Sequence, residues 1–372
     1  MDAGSSLWEV QSDGTNLHAV FPGWPHPHGC GNWTQDGKYF VFTSLAQGLQ
    51  TLWAVREKKD FWGRARRDPA QLTSGPISLY APVSSLDGKR LFAGGHQLRS
   101  EIVRYDVASK ALIPFLPGLS IEGLDFSRDG KWVTYVSYPE GVLYRSTIAG
   151  QQRLQLTTPP MHANLPRWSP DAKSIAFMGS IPGQPSKIFL VSAEGGTSER
   201  LTSGELSTGF DPTWSPDGKL LALSGDEAER VQIHILNLAT RRLSLLPGSL
   251  GRGSPRWSPD GRYIAALSYN SAQLFLFDLQ ANKWSTLIKE SSGYPSWSRD
   301  SEYIYFDTFG SDPAFKRVRI RDQKVERIVG LKDMPRAVGA FGFWSGLAPD
   351  GSALLQRDVS WDEIYALECE FP

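Results

Sequence analysis

The residues of this sequence that could do chemistry are a few histidines and carboxylates that lie shortly before its repeated turns. His26 and His28 are separated by one proline, and His162 occupies the matching place three repeats later. Glu122 and Asp211 lie at comparable places and could face the same opening. Imidazole and carboxylate groups bind zinc and other transition metals, so this set could support a metal-assisted reaction. Because a His-Pro-His pair has no established ligand spacing, we favour surface or hydrogen-bonded histidines and expect no metal.

A second set of carboxylates recurs in a motif best seen at Pro255 to Arg262, which reads Pro-Arg-Trp-Ser-Pro-Asp-Gly-Arg. In each copy an aromatic residue ends one strand, a tight turn follows, and an apolar run begins the next strand. A hairpin requires a turn residue in every repeat, so we interpret these aspartates as structural and not as catalytic acids and bases. The anchor aspartates are Asp36, Asp87, Asp129, Asp171, Asp217, Asp260, Asp300 and Asp350, and successive anchors are 51, 42, 42, 46, 43, 40 and 50 residues apart.

This spacing is typical of the blades of a β-propeller. One repeat cannot bury both of its own faces, so the copies must stack around an axis. The sequence therefore predicts an all-β fold, an eight-bladed β-propeller of four-stranded antiparallel blades that forms a single domain over residues 1–372. The recurring tryptophans are interpreted as core packing. Seven blades are the alternative, because Ser84 replaces the aromatic residue before Asp87.

The two ends of the chain are expected to meet in the last blade. The final repeat has a second strand at Ala353 to Gln356 and a third at Ile364 to Leu367, but no fourth. The N-terminus offers a spare pair, Leu7 to Val10 and Leu17 to Val20. We predict that Leu17 to Val20 completes the final blade, because this removes an exposed strand edge. Whether Leu7 to Val10 or Ile364 to Leu367 takes the third position stays open.

Segments that link one blade to the next form a face around the channel mouth, which is the usual ligand site of such a fold. Here these segments are polar and aromatic, a mixture that suits a protein, a peptide, a sugar or another small polar ligand. The candidate binding residues are His26, His28, Tyr80, Glu122, His162, Asp211, Arg252, Tyr294 and Trp344. We expect no catalytic residues and no cofactor, since no nucleophile elbow, phosphate loop or His-Glu-x-x-His motif occurs.

Two insertions depart from the repeat. Arg56 to Arg67 contains six basic and two acidic residues, and we interpret it as a long solvated hairpin in preference to a partner-binding patch. Arg336 to Trp344 is a glycine-spaced aromatic loop whose apolar rings need cover. That cover could be the central channel, a ligand or the adjoining blade.

The composition excludes several partner classes. The net charge is zero and the pI is about 7.0, which gives no reason to expect direct nucleic acid binding. Residues 1–20 contain no apolar core of a signal peptide, and no apolar run is long enough for a membrane segment. We expect a soluble monomer, periplasmic if a parent protein carries a membrane span and otherwise cytoplasmic. Cys30 and Cys369 are expected to be free thiols, although ring closure could bring them together.

The motif copies at Trp168 to Asp171, Trp214 to Lys219 and Trp257 to Arg262 resemble the bacterial TolB-like propeller repeat, over essentially the whole chain. The flanking segments Cys30 to Trp33 and Gly123 to Trp132 look like the C-terminal propeller of acidobacterial winged-helix regulators and Ser/Thr kinases. Tyr138 to Gly141 and Glu363 to Leu367 carry the same likeness. This resemblance implies a sensory or interaction module of a larger bacterial regulatory protein, and it supplies no catalytic residues.

Three functions therefore follow from the sequence. We favour a non-catalytic propeller that binds a ligand or a protein, because the repeats cover the chain without a catalytic signature. The first alternative is a metal-assisted lyase or hydrolase of carbohydrates with a histidine cluster at the channel mouth. The second is an accessory propeller of a prolyl-oligopeptidase-type peptidase.

Overall fold

The structure, a computed structural model, describes residues 5–46, 49–56, 58–59, 65–66, 69–75, 77–202, 206–227 and 230–368. Across these ranges the chain forms strands and turns and contains no helix. The first strands are β1 (Trp8–Glu9), β2 (His18–Ala19), β3 (His28–Trp33), β4 (Phe40–Ala46), β5 (Leu49–Val55), β6 (Lys58–Lys59), β7 (Ala65–Arg66), β8 (Ala70–Gln71), β9 (Ser78–Ser84) and β10 (Arg90–Gln97). The next are β11 (Ser100–Asp106), β12 (Ala111–Phe115), β13 (Ile121–Phe126), β14 (Trp132–Ser137), β15 (Leu143–Thr147), β16 (Leu154–Gln155), β17 (His162–Trp168), β18 (Ser174–Ser180), β19 (Lys187–Ser192), β20 (Glu199–Arg200), β21 (Thr208–Trp214) and β22 (Leu220–Glu227). The last are β23 (Arg230–Asn237), β24 (Leu243–Leu245), β25 (Arg252–Trp257), β26 (Tyr263–Ser268), β27 (Leu274–Asp278), β28 (Lys283–Ile288), β29 (Ser292–Trp297), β30 (Tyr303–Thr308), β31 (Ala314–Arg319), β32 (Val325–Gly330), β33 (Ser345–Leu347), β34 (Ala353–Asp358) and β35 (Trp361–Glu368).

The chain divides into two compact units, residues 99–359 and residues 1–98 with 360–372. The first unit contains six four-stranded antiparallel sheets, among the residues described. Its innermost strands β13, β17, β21, β25, β29 and β33 contact one another in turn, and β33 contacts β13. The six sheets therefore close into a ring of blades, which confirms the all-β propeller fold. The predicted count of eight blades is not confirmed, and the single domain over residues 1–372 stays a prediction.

The ring closes in a different way from the one expected. The last sheet has the order β12-β11-β34-β33, so its third and fourth strands come from the beginning of the unit. The prediction that Leu17 to Val20 completes the final blade is wrong, because β2 lies in that segment and pairs with β1. The segment Ile364 to Leu367 lies in β35, which pairs with β10. Although β10 and β11 follow each other closely, they belong to different sheets.

The other unit has smaller sheets. Strands β3, β4, β5 and β8 form a four-stranded sheet, and β9, β10 and β35 form a three-stranded one. Val41, Leu52, Leu79 and Leu91 pack between these two sheets. Strands β6 and β7 pair within the predicted insertion at 56–67, part of which lies outside the described residues.

The anchor turns are built as the motif indicates. At the second anchor of the ring, Ser169 Oγ donates to Asp171 Oδ1 at 2.6 Å, and the same oxygen accepts the backbone N–H of Lys173 at 3.1 Å. These hydrogen bonds lower the pKa of Asp171. The same arrangement recurs at Asp129, Asp217, Asp260 and Asp300. The anchor carboxylates are thus structural groups of the turns.

Apolar clusters between consecutive blades hold the ring together. In one of them, Val136 and Leu143 of one blade pack against Trp168, Ile175 and Phe177 of the next. Five further clusters join the remaining neighbours, including the pair at the closure. Each blade is therefore buried on both faces, which rigidly fixes the inner strands that line the channel.

Candidate functional site

The channel of residues 99–359 is lined by two rings of side chains that follow from the repeat. The first ring holds the residue six positions before each anchor aspartate, and the second ring holds the residue four positions before it. The first ring is Leu165, Asp211, Ser254, Tyr294 and Trp344, with Gly123 at the equivalent position of the remaining blade, and the second ring is Asp125, Arg167, Thr213, Arg256, Ser296 and Gly346. The rings place polar groups at equivalent heights around one axis.

A bulge in the inner strand sets the positions of these side chains. In β21 the pairing with β22 shifts between Phe210 and Thr213, and Asp211 has a φ of 51°. The same shift, with a positive φ at the first-ring residue, occurs in β17, β25 and β29. A proline follows the first-ring residue in all four strands. Because proline has no N–H to lose, it suits the unpaired place of a bulge.

A buried ion pair lies in the channel where the rings meet. Asp211 accepts two hydrogen bonds from Arg256, at 2.8 Å to Oδ1 and 3.1 Å to Oδ2. Arg167 Nη2 also lies 3.4 Å from Asp211 Oδ1. Burial and the neighbouring Arg256 lower the pKa of Arg167, and burial raises the pKa of Asp125 against the opposing effect of Arg167. The charges of these two arginines and two aspartates compensate one another. The group lies between the two mouths of the channel.

The loop-side mouth is a cavity of about 690 Å³ where the inner strands begin. Its charged lining residues, within the described part of the chain, are Asp211, Asp226 and Arg256. Asp226 Oδ1 is buried and has no hydrogen-bond partner. The aromatic residues of the loop-side mouth are Phe210, Tyr269, Tyr294, Phe309, Phe341 and Phe343. The mouth thus combines apolar rings with one unpaired acceptor.

The turn-side mouth is a cavity of about 760 Å³ at the opposite ends of the same strands, where the anchor turns lie. Its indole rings are those of Trp168, Trp214, Trp257, Trp297 and Trp344. Trp168 and Trp344 are buried, as the core interpretation requires. The other three are only partly buried, so they form walls of the mouth as well as contacts between blades.

The predicted aromatic loop crosses the loop-side mouth as a strap, residues 336–344. Gly339 and Gly342 exchange backbone hydrogen bonds of 3.0 and 3.1 Å, and Tyr138 donates to the carbonyl oxygen of Val338 at 3.3 Å. A Cβ on Gly339 would lie 1.9 Å from Glu122 Oε2, so the strap passes directly over the Glu122 carboxyl and a larger residue there would displace that side chain. Burial beneath this strap raises the pKa of Glu122 to about 7.

The strap is fixed at its first residue by a buried ion pair. Arg336 Nη2 lies 3.2 Å from Asp307 Oδ2 and donates to the carbonyl oxygen of Trp344 at 3.0 Å. Burial raises the pKa of Asp307 to about 6, although Arg336 opposes that rise. Phe343 packs near Phe309, with ring centroids 6.3 Å apart. The adjoining blade therefore covers part of the apolar loop, while Phe341 stays 42% exposed.

Only part of the predicted site comes together. Asp211 and Tyr294 line the loop-side mouth, and Trp344 lines the turn-side mouth. Glu122 is held beneath the strap and faces neither cavity. Arg252 turns away from the channel, with its guanidinium 4.4 Å from the centroid of Phe275.

The predicted histidines form no ligand set. His162 is exposed and lies against Gly141. His26, His28 and Tyr80 belong to the other unit, where the ring of His28 is buried beside Phe21. Among the residues that the structure covers, no three histidine, cysteine, aspartate or glutamate side chains are grouped to hold a metal. Cys30 is an exposed free thiol, and Cys369 lies outside the described residues.

Several channel residues escaped the sequence reasoning. Arg167 and Arg256 stand directly before the tryptophan of the motif, and Asp125 holds the equivalent place one blade earlier. The sequence did contain a signal. Successive residues of a strand face opposite sides, so the residue two positions before the turn serine could have been assigned to the channel. Asp226 gave no signal, since it lies near the end of the second strand of its blade, outside the motif.

Comparison with known proteins supports the geometry. Residues 121–246 match the family model of the TolB beta propeller domain. The Tol-Pal system protein TolB of Francisella tularensis subsp. holarctica (strain OSU18) is 26% identical over 218 residues, which cover 56% of this chain and 48% of that protein. The structure of putative TolB from Agrobacterium tumefaciens superposes with a TM-score of 0.58 at 21% identity, over 70% of this chain and 99% of that one. The chain contains a TolB-like β-propeller.

Another relative is similar to this chain over a shorter segment. The uncharacterized peptidase YuxL of Bacillus subtilis (strain 168) is 27% identical over 158 residues, which cover 38% of this chain. This chain spans 21% of the peptidase and about half of TolB, 48%. The likeness therefore concerns the TolB-like propeller and not the whole of either protein. No helix suited to crossing a bilayer is found among the residues that the structure describes.

Proposed function

We propose that the TolB-like propeller is a non-catalytic binding module that takes a basic peptide segment of a partner protein at its loop-side mouth. The observation that carries the proposal is the buried, unpaired Oδ1 of Asp226 in an aromatic cavity of about 690 Å³. A cavity of this size accommodates a few residues of an extended peptide. The TolB-like propellers among its relatives support a role in interaction.

The charges of the loop-side mouth favour a cationic group. Asp211 is already neutralised by Arg256, so Asp226 leaves the mouth with an excess of negative charge. A guanidinium that reaches Asp226 would satisfy the buried oxygen and would lie among aromatic rings, which attract cations. An acidic group would leave the oxygen unpaired and would add like-charge repulsion.

Two wider roles belong to the same proposal. Motif resemblance to acidobacterial regulators supports a sensory module of a larger protein, in which the basic peptide is the signal. Similarity to the peptidase supports an accessory propeller, but that alignment covers 38% of this chain. A metal-assisted carbohydrate reaction has no grouped ligand set within the described residues.

The test uses two pools of fluorescein-labelled hexapeptides, one with arginine fixed at one position and the other with glutamate there. We expect Asp226→Asn to weaken binding of the arginine pool about tenfold, which corresponds to one lost charge-assisted contact. Binding of the glutamate pool should not change. Asp322→Asn, in an exposed turn of the same propeller, is the matched control. Fluorescence anisotropy measures both. Unchanged binding of the arginine pool by Asp226→Asn, or no binding of that pool by the natural chain, contradicts the proposal.

A further inference from the structure

The turn-side mouth carries hydrogen-bond donors that nothing in the described structure satisfies. Arg128 and Arg299 precede two of the anchor aspartates, and both side chains are exposed at the rim. Neither has a hydrogen bond or ion pair to a described residue. Deeper in the mouth, Trp168 Nε1 is buried without an acceptor. An acceptor-rich ligand would therefore find unpaired partners both at the rim and inside.

The two arginines lie close to each other on the rim. Their turns flank the turn of Pro349, and a Cβ on Gly130 would lie 3.2 Å from Pro349 and 3.5 Å from Arg299 Nη2. The guanidinium of Arg299 thus reaches toward the turn that carries Arg128. A carboxylate at this point of the rim could accept from both guanidinium groups, and such charge-assisted bonds are among the stronger ones in proteins.

The carboxylates that line the turn-side mouth form no ion pair with Arg128 or Arg299 among the described residues. Asp300 and Asp350 each accept hydrogen bonds within their own anchor turns. Asp125 accepts the backbone N–H of Trp168 at 2.6 Å. The lining holds four arginines and three aspartates among the described residues. Asp300 and Asp350 keep their negative charges, and Asp350 lies 3.4 Å from Arg104 Nη1. Neither forms an ion pair with Arg128 or Arg299 among the described residues, so the unsatisfied groups at the rim are the two guanidinium donors, which suit a carboxylate.

The walls of this mouth are preorganised. Trp214 Nε1 donates to the carbonyl oxygen of Arg167 at 3.0 Å, and Trp297 Nε1 donates to that of Arg256 at 2.9 Å. These bonds join each tryptophan to the preceding blade and hold its ring in place. Rigid indole rings and the turn prolines provide apolar area to an extended backbone at little entropic cost.

We propose that the turn-side mouth is a second binding site, which takes an acidic peptide segment. A glutamate or aspartate side chain docks between Arg128 and Arg299, and the backbone runs along the indole walls toward the free Nε1 of Trp168. This site does not depend on ligand binding at the loop-side mouth. The two sites differ in the sign of the charge that they recognise.

The same two peptide pools test the proposal, with the double variant Arg128→Gln/Arg299→Gln. We expect the double variant to weaken binding of the glutamate pool at least about tenfold, and to leave binding of the arginine pool unchanged. Arg242→Gln/Arg321→Gln, which removes two exposed arginines elsewhere on the propeller, should bind the glutamate pool as the natural chain does. Tryptophan fluorescence provides a second readout, because five indoles line this mouth.

Three outcomes overturn the proposal. The first is that the natural chain does not bind the glutamate pool, and the second is that both double variants bind it equally. The third is that inorganic triphosphate competes away the glutamate pool at lower concentration than unlabelled glutamate peptides do, which would assign the arginines to a phosphate ligand. The titration of the arginine pool against Asp226→Asn tests the loop-side mouth separately. A negative result for that mouth can therefore be distinguished from a negative result for the turn-side mouth.

Discussion

The two mouths of the channel are built from the same strands, yet they present opposite chemistry. The loop-side mouth is lined by phenylalanine and tyrosine rings and has an unpaired carboxylate oxygen on Asp226. The turn-side mouth is lined by tryptophans and has unpaired guanidinium groups on Arg128 and Arg299. The difference arises because the loops at one end of the inner strands line one opening, whereas the anchor turns at the other end line the other. A repeat thus fixes the height of a residue in the channel but leaves its charge free to vary.

The ion pair between Asp211 and Arg256 lies between the two mouths. Removing it should have the largest effect of the changes considered, because it affects both mouths. Asp211→Asn keeps the size of the side chain, and asparagine tolerates the positive φ of this position. The variant leaves a buried guanidinium without its counter-charge, which is expected to lower the free energy of unfolding by about 3–5 kcal/mol. Chemical denaturation measures this loss, and Asp322→Asn in an exposed turn should shift stability by no more than about 0.5 kcal/mol.

The strap gives a pH-dependent test of the loop-side mouth alone. The pKa of Glu122 is raised from 4.5 to about 7, so folding favours its protonated form. The stability that this group contributes is complete below pH 4.5 and is lost as the pH rises through 7. Glu122→Gln should therefore be as stable as the natural chain at low pH and more stable above pH 7, by up to about 3 kcal/mol.

The measurement is chemical denaturation of both chains across this pH range. Exposed Glu302→Gln is the control, and it should follow the natural chain at every pH. If Glu122→Gln keeps a constant stability difference over the whole range, the carboxyl is not desolvated beneath the strap and the description of this mouth is wrong.

The repeating blade could be predicted from the sequence, but most of the charged residues inside the channel were missed. The anchor turn at Asp171 was predictable because its hydrogen bonds are local, within five residues along the chain. The pairing of β11 with β34 was not predictable, since a strand pattern specifies an edge but not which strand will pair with it. The placement of Arg252 on Phe275, away from the channel, also depends on a contact between distant parts of the sequence.

The candidate histidines show the same limit. His28 and His162 stand at the starts of β3 and β17, but these strands belong to different compact units. Asp226 and Arg299, which define the two mouths, have no shared motif because their role depends on which partners are absent after folding. Local chemistry therefore predicted the repeating framework, and only the folded chain showed which polar groups stay unpaired.

One cross-titration tests the opposite preferences of the two mouths most directly. The arginine and glutamate pools are each titrated against the natural chain, Asp226→Asn and Arg128→Gln/Arg299→Gln, with anisotropy as the readout. We predict that each variant loses affinity for one pool only, by about tenfold or 1.4 kcal/mol. If both pools weaken together in either variant, or if neither pool responds to the variant of its own mouth, the account of two oppositely charged sites is contradicted.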